Sequence, residues 1–318
     1  KKALRTLREA GAEPAADGDA SEQRADEQSL DPPALESLCS AFELTAFERD
    51  LLVLCAGVEL DAELQAVCSA SQGIVGRGAP TFGLALAAIP DAHWSALAPQ
   101  GALRRGCLIN VVPGDNLTTS PLRIEERVLH YLTGLTGAAA RDAWLCGMFS
   151  PRSVQAPLPP SQQGLKHRIA RHAATARDVR ASVFGADAAD RSTVAAAVCA
   201  ELGLALFALR ASDVPVAVAE REHLAQQWRR EVLLERCALL LEIDESEDPS
   251  GGALRAALAF SERLPGLVLL SSRDPLPGPQ APPLRFELCH PSPEEQRALW
   301  QALFTEVSFE HLDPVISH

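Results

Sequence analysis

A segment of nine residues, 185–193, has the composition and spacing of a phosphate-binding loop. It reads GADAADRST, follows a short apolar run and precedes a helical pattern, which is the setting of the motif G-x-x-x-x-G-K-[ST]. In that motif, backbone N–H groups at the amino end of a helix hold phosphate oxygens, a lysine reaches the β- and γ-phosphates, and a hydroxyl binds Mg²⁺. The segment is therefore the first candidate for a nucleotide site.

Two positions of this segment depart from the motif. Asp190 stands where the motif has its second glycine, and Arg191 stands where it has its lysine. A carboxylate there puts negative charge where phosphate would sit, and a planar guanidinium does not replace a compact ammonium in a tight loop. The chain has lysines only at positions 1, 2 and 166. We therefore expect a degenerate Walker A site that binds ATP and Mg²⁺ poorly and lacks hydrolysis. Its candidate binding residues are Gly185, Asp190, Arg191, Ser192 and Thr193, with Ser192 a Mg²⁺ ligand only if ATP binds.

Acidic residues at the end of a predicted strand form the second candidate group. An apolar run ends in Glu242-Ile-Asp244-Glu245, where a nucleotide site carries acids that orient Mg²⁺ and activate water. Two registers fit, because either Glu242 is the metal-orienting acid or Asp244 and Glu245 are the pair. Acids at a solvent-exposed strand end fit the pattern as well. Ser271 and Ser272 end the next strand, where a polar residue can contact a γ-phosphate, and a plain strand-end turn explains them equally.

Short apolar runs alternate with helical patterns in the second half of the chain. Strands joined by helical crossovers form a parallel sheet with helices on both faces, so the sequence predicts an α/β domain. The predicted strands cover 181–184, 204–209, 238–243, 267–271 and 284–288, and the helices between them cover 192–202, 219–236 and 253–264.

The first half predicts mainly helices, followed by a small hairpin. Thr45 and Glu48 have the spacing of a capping box, and Asp61 has the character of an N-cap. Helices closed by a hairpin indicate a winged-helix-like module, which in other proteins can read DNA. Residues 31–140 contain six arginines against twelve carboxylates, and the helix at 61–70 has no base, so packing against protein is favoured over DNA binding. The predicted helices cover 33–42, 45–56, 61–70, 81–89 and 125–132, and the hairpin strands cover 103–112 and 116–122.

Composition excludes several classes of protein. The chain has 318 residues with 47% hydrophobic residues, the balance of a globular protein of about two domains. Its formal net charge of −13 argues against nucleic acid and anionic membranes as partners. No apolar stretch reaches the ~20 residues that a bilayer requires. The eight cysteines lack any Cys-x-x-Cys spacing, and we expect most of them to be small buried side chains in a reducing cytoplasm.

Changes in composition along the chain suggest its organisation. Residues 1–30 predict a short helix and a flexible acidic linker, 31–150 the winged-helix-like domain, 151–179 a Pro-rich linker and a basic helix, and 180–318 the α/β core with the start of a lid. Because the chain has no initiator Met and ends without an evident stop, we expect it to be a piece of a longer protein.

The order of predicted strands, with the loop at 185–193, resembles an AAA+ ATPase core. The string RFELCHPSPEEQRALWQALF at 285–304 is similar to the last core strand and the first lid helix of that family. The strings FELTAFERDLLVLCAGVELDAEL, PTFGLALAAIPDAHWSAL and SPLRIEERVLHYLTGL resemble the winged-helix region of the AAA+ ATPases associated with bacterial extracellular contractile injection systems. The resemblance covers about residues 32–310 and implies a winged helix followed by a degenerate first AAA+ domain.

The resemblance implies a cytoplasmic, ring-forming protein. Its expected partners are other copies of itself and injection-system or cargo proteins, with no nucleic acid and no membrane. On this hypothesis the chain is mainly a scaffold for protein interaction and ring assembly. Two alternatives stay open: an AAA+ domain that binds and hydrolyses ATP through Arg191, Ser192 and Asp244, and a DNA-binding AAA+ regulator.

Overall fold

A computed structural model gives the fold of the chain. It describes residues 33–73, 78–135, 143–154, 157–185, 187–243, 251–278, 282 and 284–303. The chain divides into two compact units, residues 1–142 and 143–318, which are described separately below. Among the described helices, none is both long enough and apolar enough to cross a membrane.

The first unit is mainly helical and contains a small antiparallel hairpin with helices before and after it. Strands β1 and β2 pair with Ile109 opposite Ile124, and an isolated bridge joins Thr81 to Pro121. This is a winged-helix-like arrangement, as the sequence predicts. Its elements are α1 Ala34–Phe42, α2 Ala46–Leu60, α3 Ala62–Ser71, α4 Phe82–Ala88, α5 Ala102–Arg105, β1 Ile109–Val111, β2 Leu122–Ile124 and α6 Glu126–Leu132.

Local sequence signals explain where the helices of this unit begin. Thr45 and Glu48 form the predicted capping box, since each side chain accepts a hydrogen bond from the other residue's backbone N–H. Asp61 caps α3 by accepting from the N–H of Glu63. Helix α2 then buries Phe47 and Leu51 in the core of the unit.

The hairpin is shorter than the sequence predicts. Residues 103–105 belong to α5 and not to a strand, and residues 116–120 form turns before β2 begins at Leu122. The prediction failed because an apolar residue beside two arginines fits a strand and a helical turn equally well over so few residues. The helix directly before the hairpin is therefore α5, whereas the sequence predicts the helix at 81–89 in that place.

The second unit is a six-stranded sheet with helices on both faces. Its strand order is β3-β5-β6-β7-β4-β8, and every neighbouring pair is parallel except β3 with β5. The five parallel strands have the order β5-β6-β7-β4-β8, so the predicted α/β fold, a P-loop NTPase-like parallel sheet with helices on both faces, is confirmed. The elements are α7 Ala143–Met148, β3 Ser150–Arg152, α8 Pro160–Thr175, β4 Val179–Gly185, α9 Ala188–Glu201, β5 Ala205–Arg210, α10 Val218–Leu234, β6 Cys237–Glu242, α11 Gly252–Ser261, β7 Leu267–Ser272, β8 Leu284–Leu288 and α12 Pro293–Leu303.

Two apolar layers hold the helices against this sheet. One face packs against α8 and α9, with Ile169 and Val194 among its buried residues. The other face packs against α10 and α11, where Trp228 and Phe260 are buried. Strands that are buried on both sides must be apolar at nearly every position, which explains why the short runs of the sequence predict them well.

The segment predicted as a Pro-rich linker contributes to the sheet. Residues 150–152 form β3, which pairs antiparallel with β5 through residues 206–208, and Phe149 stacks on Trp228 with ring centroids 4.9 Å apart. The following helix begins at Pro160, because proline is well tolerated in the first turn of a helix. A proline in β3 is consistent with its place at an edge of the sheet.

Five cysteines are buried, as expected, and all eight are free thiols. Burial raises the pKa of Cys55 and of Cys199 to about 12, which leaves both thiols protonated at neutral pH. Cys146 and Cys289 differ from the expectation because they are exposed. The buried set is Cys55, Cys68, Cys107, Cys199 and Cys237.

Candidate functional site

The turn after β4 is built around a glycine with close backbone packing. Gly185 has φ +89°, and a Cβ placed on it would lie 2.5 Å from the carbonyl oxygen of Leu288 in β8. Its N–H donates to the carbonyl of Arg273 at 3.0 Å. A glycine is therefore required here for backbone conformation and for the contact between strands, whether or not a phosphate binds.

The helix after this turn begins earlier than the sequence predicts. We expected it from Ser192, but α9 starts at Ala188, so Asp190 and Arg191 lie in helical backbone and not in a loop. The reason is local, because two alanines, Ala188 and Ala189, precede Asp190 and alanine is the strongest helix former. Without a second glycine, nothing in the sequence delays the helix. The connection between β4 and α9 is therefore shorter than the nine-residue phosphate-binding loop that the motif predicts.

Arg191 points into the end of the sheet. Its side chain is 6% exposed, and its Nε donates to Ser271 Oγ at 2.9 Å while one Nη donates to the carbonyl of Gly185 at 2.6 Å. Burial lowers the pKa of Arg191, and the carboxylates of Asp187 and Glu242 oppose that shift. The guanidinium thus joins the ends of β4 and β7 at the place where the motif would present a phosphate.

The acid at the end of β6 is paired within the protein. Both carboxylate oxygens of Glu242 accept from one Nη of Arg152, at 3.1 and 3.2 Å, and both side chains are partly exposed. Arg152 comes from β3, which the sequence predicts as linker. The alternative register cannot be compared, because Asp244 and Glu245 lie outside the described residues.

Three titratable groups gather at the amino end of α9. One ligand atom from each of Asp187, Asp190 and His290 lies within 4.8 Å of the others. Although Asp187 occupies the N-cap position, its side chain makes no capping hydrogen bond within the described part of the chain. Burial, followed by the Asp187 carboxylate, raises the pKa of Asp190, and His290 and Arg191 partly offset this. The amino end of the helix therefore already holds negative charge of its own.

The remaining candidate hydroxyls have different surroundings. Thr193 Oγ1 donates to the carbonyl of Ala189 at 2.8 Å, and Ser272 Oγ donates to the carbonyl of Asp274 at 2.8 Å. Ser192 is half-buried. The structure therefore brings Gly185, Arg191, Ser271 and Glu242 to one edge of the sheet, whereas Thr193 and Ser272 serve local backbone contacts.

Magnesium and ATP, which the fold implies, do not fit these residues. A bound phosphate needs open backbone N–H donors and a cation directed at it. Here Arg191 is directed into the sheet, and two carboxylates lie beside the helix end. No chemical step through a nucleotide follows from this arrangement.

The shifted pKa of Asp190 gives a testable pH dependence. Because the folded state holds this proton more tightly than the unfolded state, ionisation of Asp190 costs stability as pH rises through the usual aspartate range and up to the raised value. We expect Asp190→Asn to raise the melting temperature at pH 7, with the difference shrinking to nothing by about pH 3. Melting curves of the two proteins across this range measure it.

Glu295 is the matched control, because its shift has the opposite sign. It accepts hydrogen bonds from the backbone N–H groups of Ser161 and Ser292, which lower its pKa. Its ionised form therefore stabilises the fold above its ordinary titration range, and Glu295→Gln should lower the melting temperature at pH 7. The prediction would be contradicted if Asp190→Asn melted at a lower temperature than the parent at pH 7 and at the same temperature at pH 3.

Comparison with known proteins finds a family model that matches the first unit. Residues 2–143 match the family model described as "Winged helix domain, variant". The match covers less than half of the chain. It includes α1 to α6 and the hairpin. No curated protein matches the chain.

Three of the solved structures that are similar to the chain share 13–16% sequence identity with it. A FIGL-1 AAA domain in complex with ADP is 14% identical with a TM-score of 0.39, over 54% of this chain and 69% of that chain. A second FIGL-1 AAA domain is 13% identical with a TM-score of 0.39, over 55% and 72%. A Rhizobiales Trip13 structure is 16% identical with a TM-score of 0.29, over 49% of this chain and 66% of that chain.

Sequence reasoning missed two members of the site. Arg152 lies 90 residues before Glu242, and nothing in the sequence signals the pairing of β3 with β5 that brings them together. His290 follows the last predicted strand by two residues, so its place beside α9 could have been inferred from the parallel pairing of β8 with β4.

Proposed function

We propose that this chain is a nucleotide-independent AAA+ scaffold. Its winged-helix-like unit would bind protein, and its AAA+ unit would assemble with further copies into a ring. The observation that carries the proposal is the Arg191 guanidinium, held by Gly185 and Ser271 at the edge where a nucleotide would bind. The association with a contractile injection system in the cytoplasm, and with its cargo proteins, rests on the resemblance of the winged-helix strings.

The arrangement around Arg191 supports a fixed conformation. In an active site of this class, the ligand's phosphates and Mg²⁺ connect the phosphate loop with polar groups at the strand ends, and hydrolysis breaks that connection. Here the hydrogen bonds of Arg191 connect α9 with β4 and β7, and the Arg152–Glu242 ion pair connects β3 with β6. The groups that make these links are side chains of the protein and are not released as a ligand is, so the proposal predicts one conformation with or without nucleotide.

The acidic charge of the first unit favours protein over DNA as its partner, although the helix before the hairpin carries two arginines. The helix before the hairpin, α5, ends in Arg104 and Arg105. Arg104 donates to the carbonyl of Leu97 at 3.1 Å, which leaves Arg105 as the exposed base of this helix. Typical DNA-binding proteins neutralise several phosphates, and this unit is acidic.

Calorimetric titration with Mg-ATP tests the central claim. We expect no magnesium-dependent binding at about millimolar nucleotide, which corresponds to less than about 4 kcal/mol of binding free energy. Mass photometry of the full chain should show the same multimer with and without ATP.

Ser192→Ala distinguishes the proposal from an active ATPase. The hydroxyl of Ser192 is the Mg²⁺ ligand in that alternative and has no role in the scaffold. Magnesium-dependent ATP binding that Ser192→Ala abolishes would overturn the proposal, as would a chain that stays monomeric. A salt-sensitive shift of duplex DNA by the chain would favour the regulator instead.

A further inference from the structure

A cavity of about 600 Å³ lies at the amino ends of β4 and β8, across the sheet from the Arg191 site. Its polar lining comes from separate elements. His172 comes from the end of α8, Arg180 from β4, Arg229 from α10, and Glu262 and Arg263 from the turn after α11. Three guanidinium groups from three parts of the chain therefore meet around one space.

Some charges of this lining are already paired within the protein. Asp178, also in the lining, accepts the N–H of Gly266 at 2.7 Å, which ties the start of β4 to the turn before β7. Arg263 forms an ion pair with Glu222 of α10. These contacts are structural, and they leave Arg180 and Arg229 as the main cations of the cavity.

Arg180 and Arg229 have most of their hydrogen-bonding capacity unused. Among the described residues, Arg180 makes one hydrogen bond, to Ser261 Oγ at 3.4 Å, and Arg229 makes one, to the carbonyl of Arg263 at 3.2 Å. A guanidinium has five N–H donors in a planar fork, the geometry that carboxylates and phosphates accept. Each side chain can thus offer further donors to a ligand without breaking a short contact.

The charge around the cavity is opposite to that of the protein as a whole. The lining contains three arginines against two carboxylates, Asp178 and Glu262, a formal sum of +1, whereas the whole chain has a net charge of −13. Cations near the carboxyl end of α8 are stabilised by the helix dipole and need no ligand. That explanation does not apply to Arg180 and Arg229, since they come from β4 and α10.

We infer that this cavity binds a small polyanion that presents phosphate or carboxylate groups to Arg180 and Arg229. The volume suits a small molecule, and two guanidinium forks suit two anionic groups on one ligand. The inference is independent of the proposed scaffold function, because the cavity lies at the amino ends of the strands and the Arg191 site lies at their carboxyl ends.

Titration calorimetry with inorganic pyrophosphate and with citrate tests this inference at low ionic strength. We expect a dissociation constant of about 0.1–1 mM for at least one probe, and weaker binding as salt is added. Pyrophosphate alone would identify a phosphate ligand and citrate alone a carboxylate ligand. Arg180→Gln with Arg229→Gln should weaken binding at least about tenfold.

The matched control is Arg105→Gln with Arg123→Gln, which removes the same charge from exposed positions of the first unit. It should bind as the parent does. No binding of either probe by the parent, or equal loss in the two double variants, would overturn the inference. If the cavity double variant fails to fold, the exposed Arg229→Gln alone carries the test. Repeating the Mg-ATP titration on Arg180→Gln with Arg229→Gln separates cavity binding of ATP from binding at the Arg191 site.

Discussion

Arg191→Ala should lower the free energy of unfolding by about 3 kcal/mol, because it leaves buried polar groups without their partner. The Gly185 carbonyl and the Ser271 hydroxyl would both lose the guanidinium, and Ser271 is 3% exposed. The carboxylates of Asp187 and Glu242 would also lose a neighbouring cation. Urea denaturation at pH 7 measures the change.

Arg285→Ala is the control for this variant. It removes the same charge from an exposed position of β8 in the same sheet, and its one hydrogen bond among the described residues, to the carbonyl of Pro282, is long at 3.5 Å. Its effect should stay within about 0.5 kcal/mol. If Arg191→Ala were as mild as Arg285→Ala, the guanidinium would not be a structural link and the basis of the scaffold proposal would be lost.

Gly185→Ala should cost about 3 kcal/mol, because two unfavourable effects coincide at one position. The φ of +89° is strained for any residue with a side chain, and the new methyl group would lie 2.5 Å from the carbonyl oxygen of Leu288. That oxygen is backbone in the neighbouring strand, so it can move only if β8 shifts away from β4. Chemical denaturation and loss of β4–β8 amide protection in hydrogen exchange both measure the effect.

Gly203→Ala separates the two effects. Gly203 has φ +66° just after the end of α9, and among the described residues no atom lies within 4 Å of the position that a Cβ would take there. Only the backbone strain applies, so the cost should be about 1 kcal/mol. If Gly185→Ala and Gly203→Ala lowered the free energy of unfolding equally, the close approach to Leu288 would contribute nothing to the effect.

The fold was predictable because its strands are buried on both faces. Runs such as Leu239–Leu241 and Leu267–Leu270 have no polar position, and helical patterns separate them, so a parallel sheet follows. The capping box and N-cap of the first unit were predictable for a similar reason, since they depend on residues two or three apart. The short hairpin was not, because β1 and β2 have three residues each and their periodicity is too brief to read.

The position of the candidate site in the fold was predictable in part. The sequence placed the candidate loop between β4 and the following helix, and its departures from the motif at Asp190 and Arg191 stay a prediction. It did not indicate that α9 starts at Ala188, or that the Arg191 side chain turns toward Ser271. Such contacts depend on the distance between strand ends, which only the assembled sheet defines. The assignment of the second acidic group stays a prediction where it concerns Asp244 and Glu245.

The short strand β3 has a consequence for how the second unit can be isolated. Residues 150–152 cover the outer side of β5 with antiparallel hydrogen bonds, and Arg152 carries the counter-charge for Glu242. A fragment cut at the start of α8 would expose the side of β5 that β3 covers at residues 206–208, and exposed edge strands promote self-association. A stable fragment of this unit should therefore begin before Phe149. We expect a fragment that begins at α8 to aggregate.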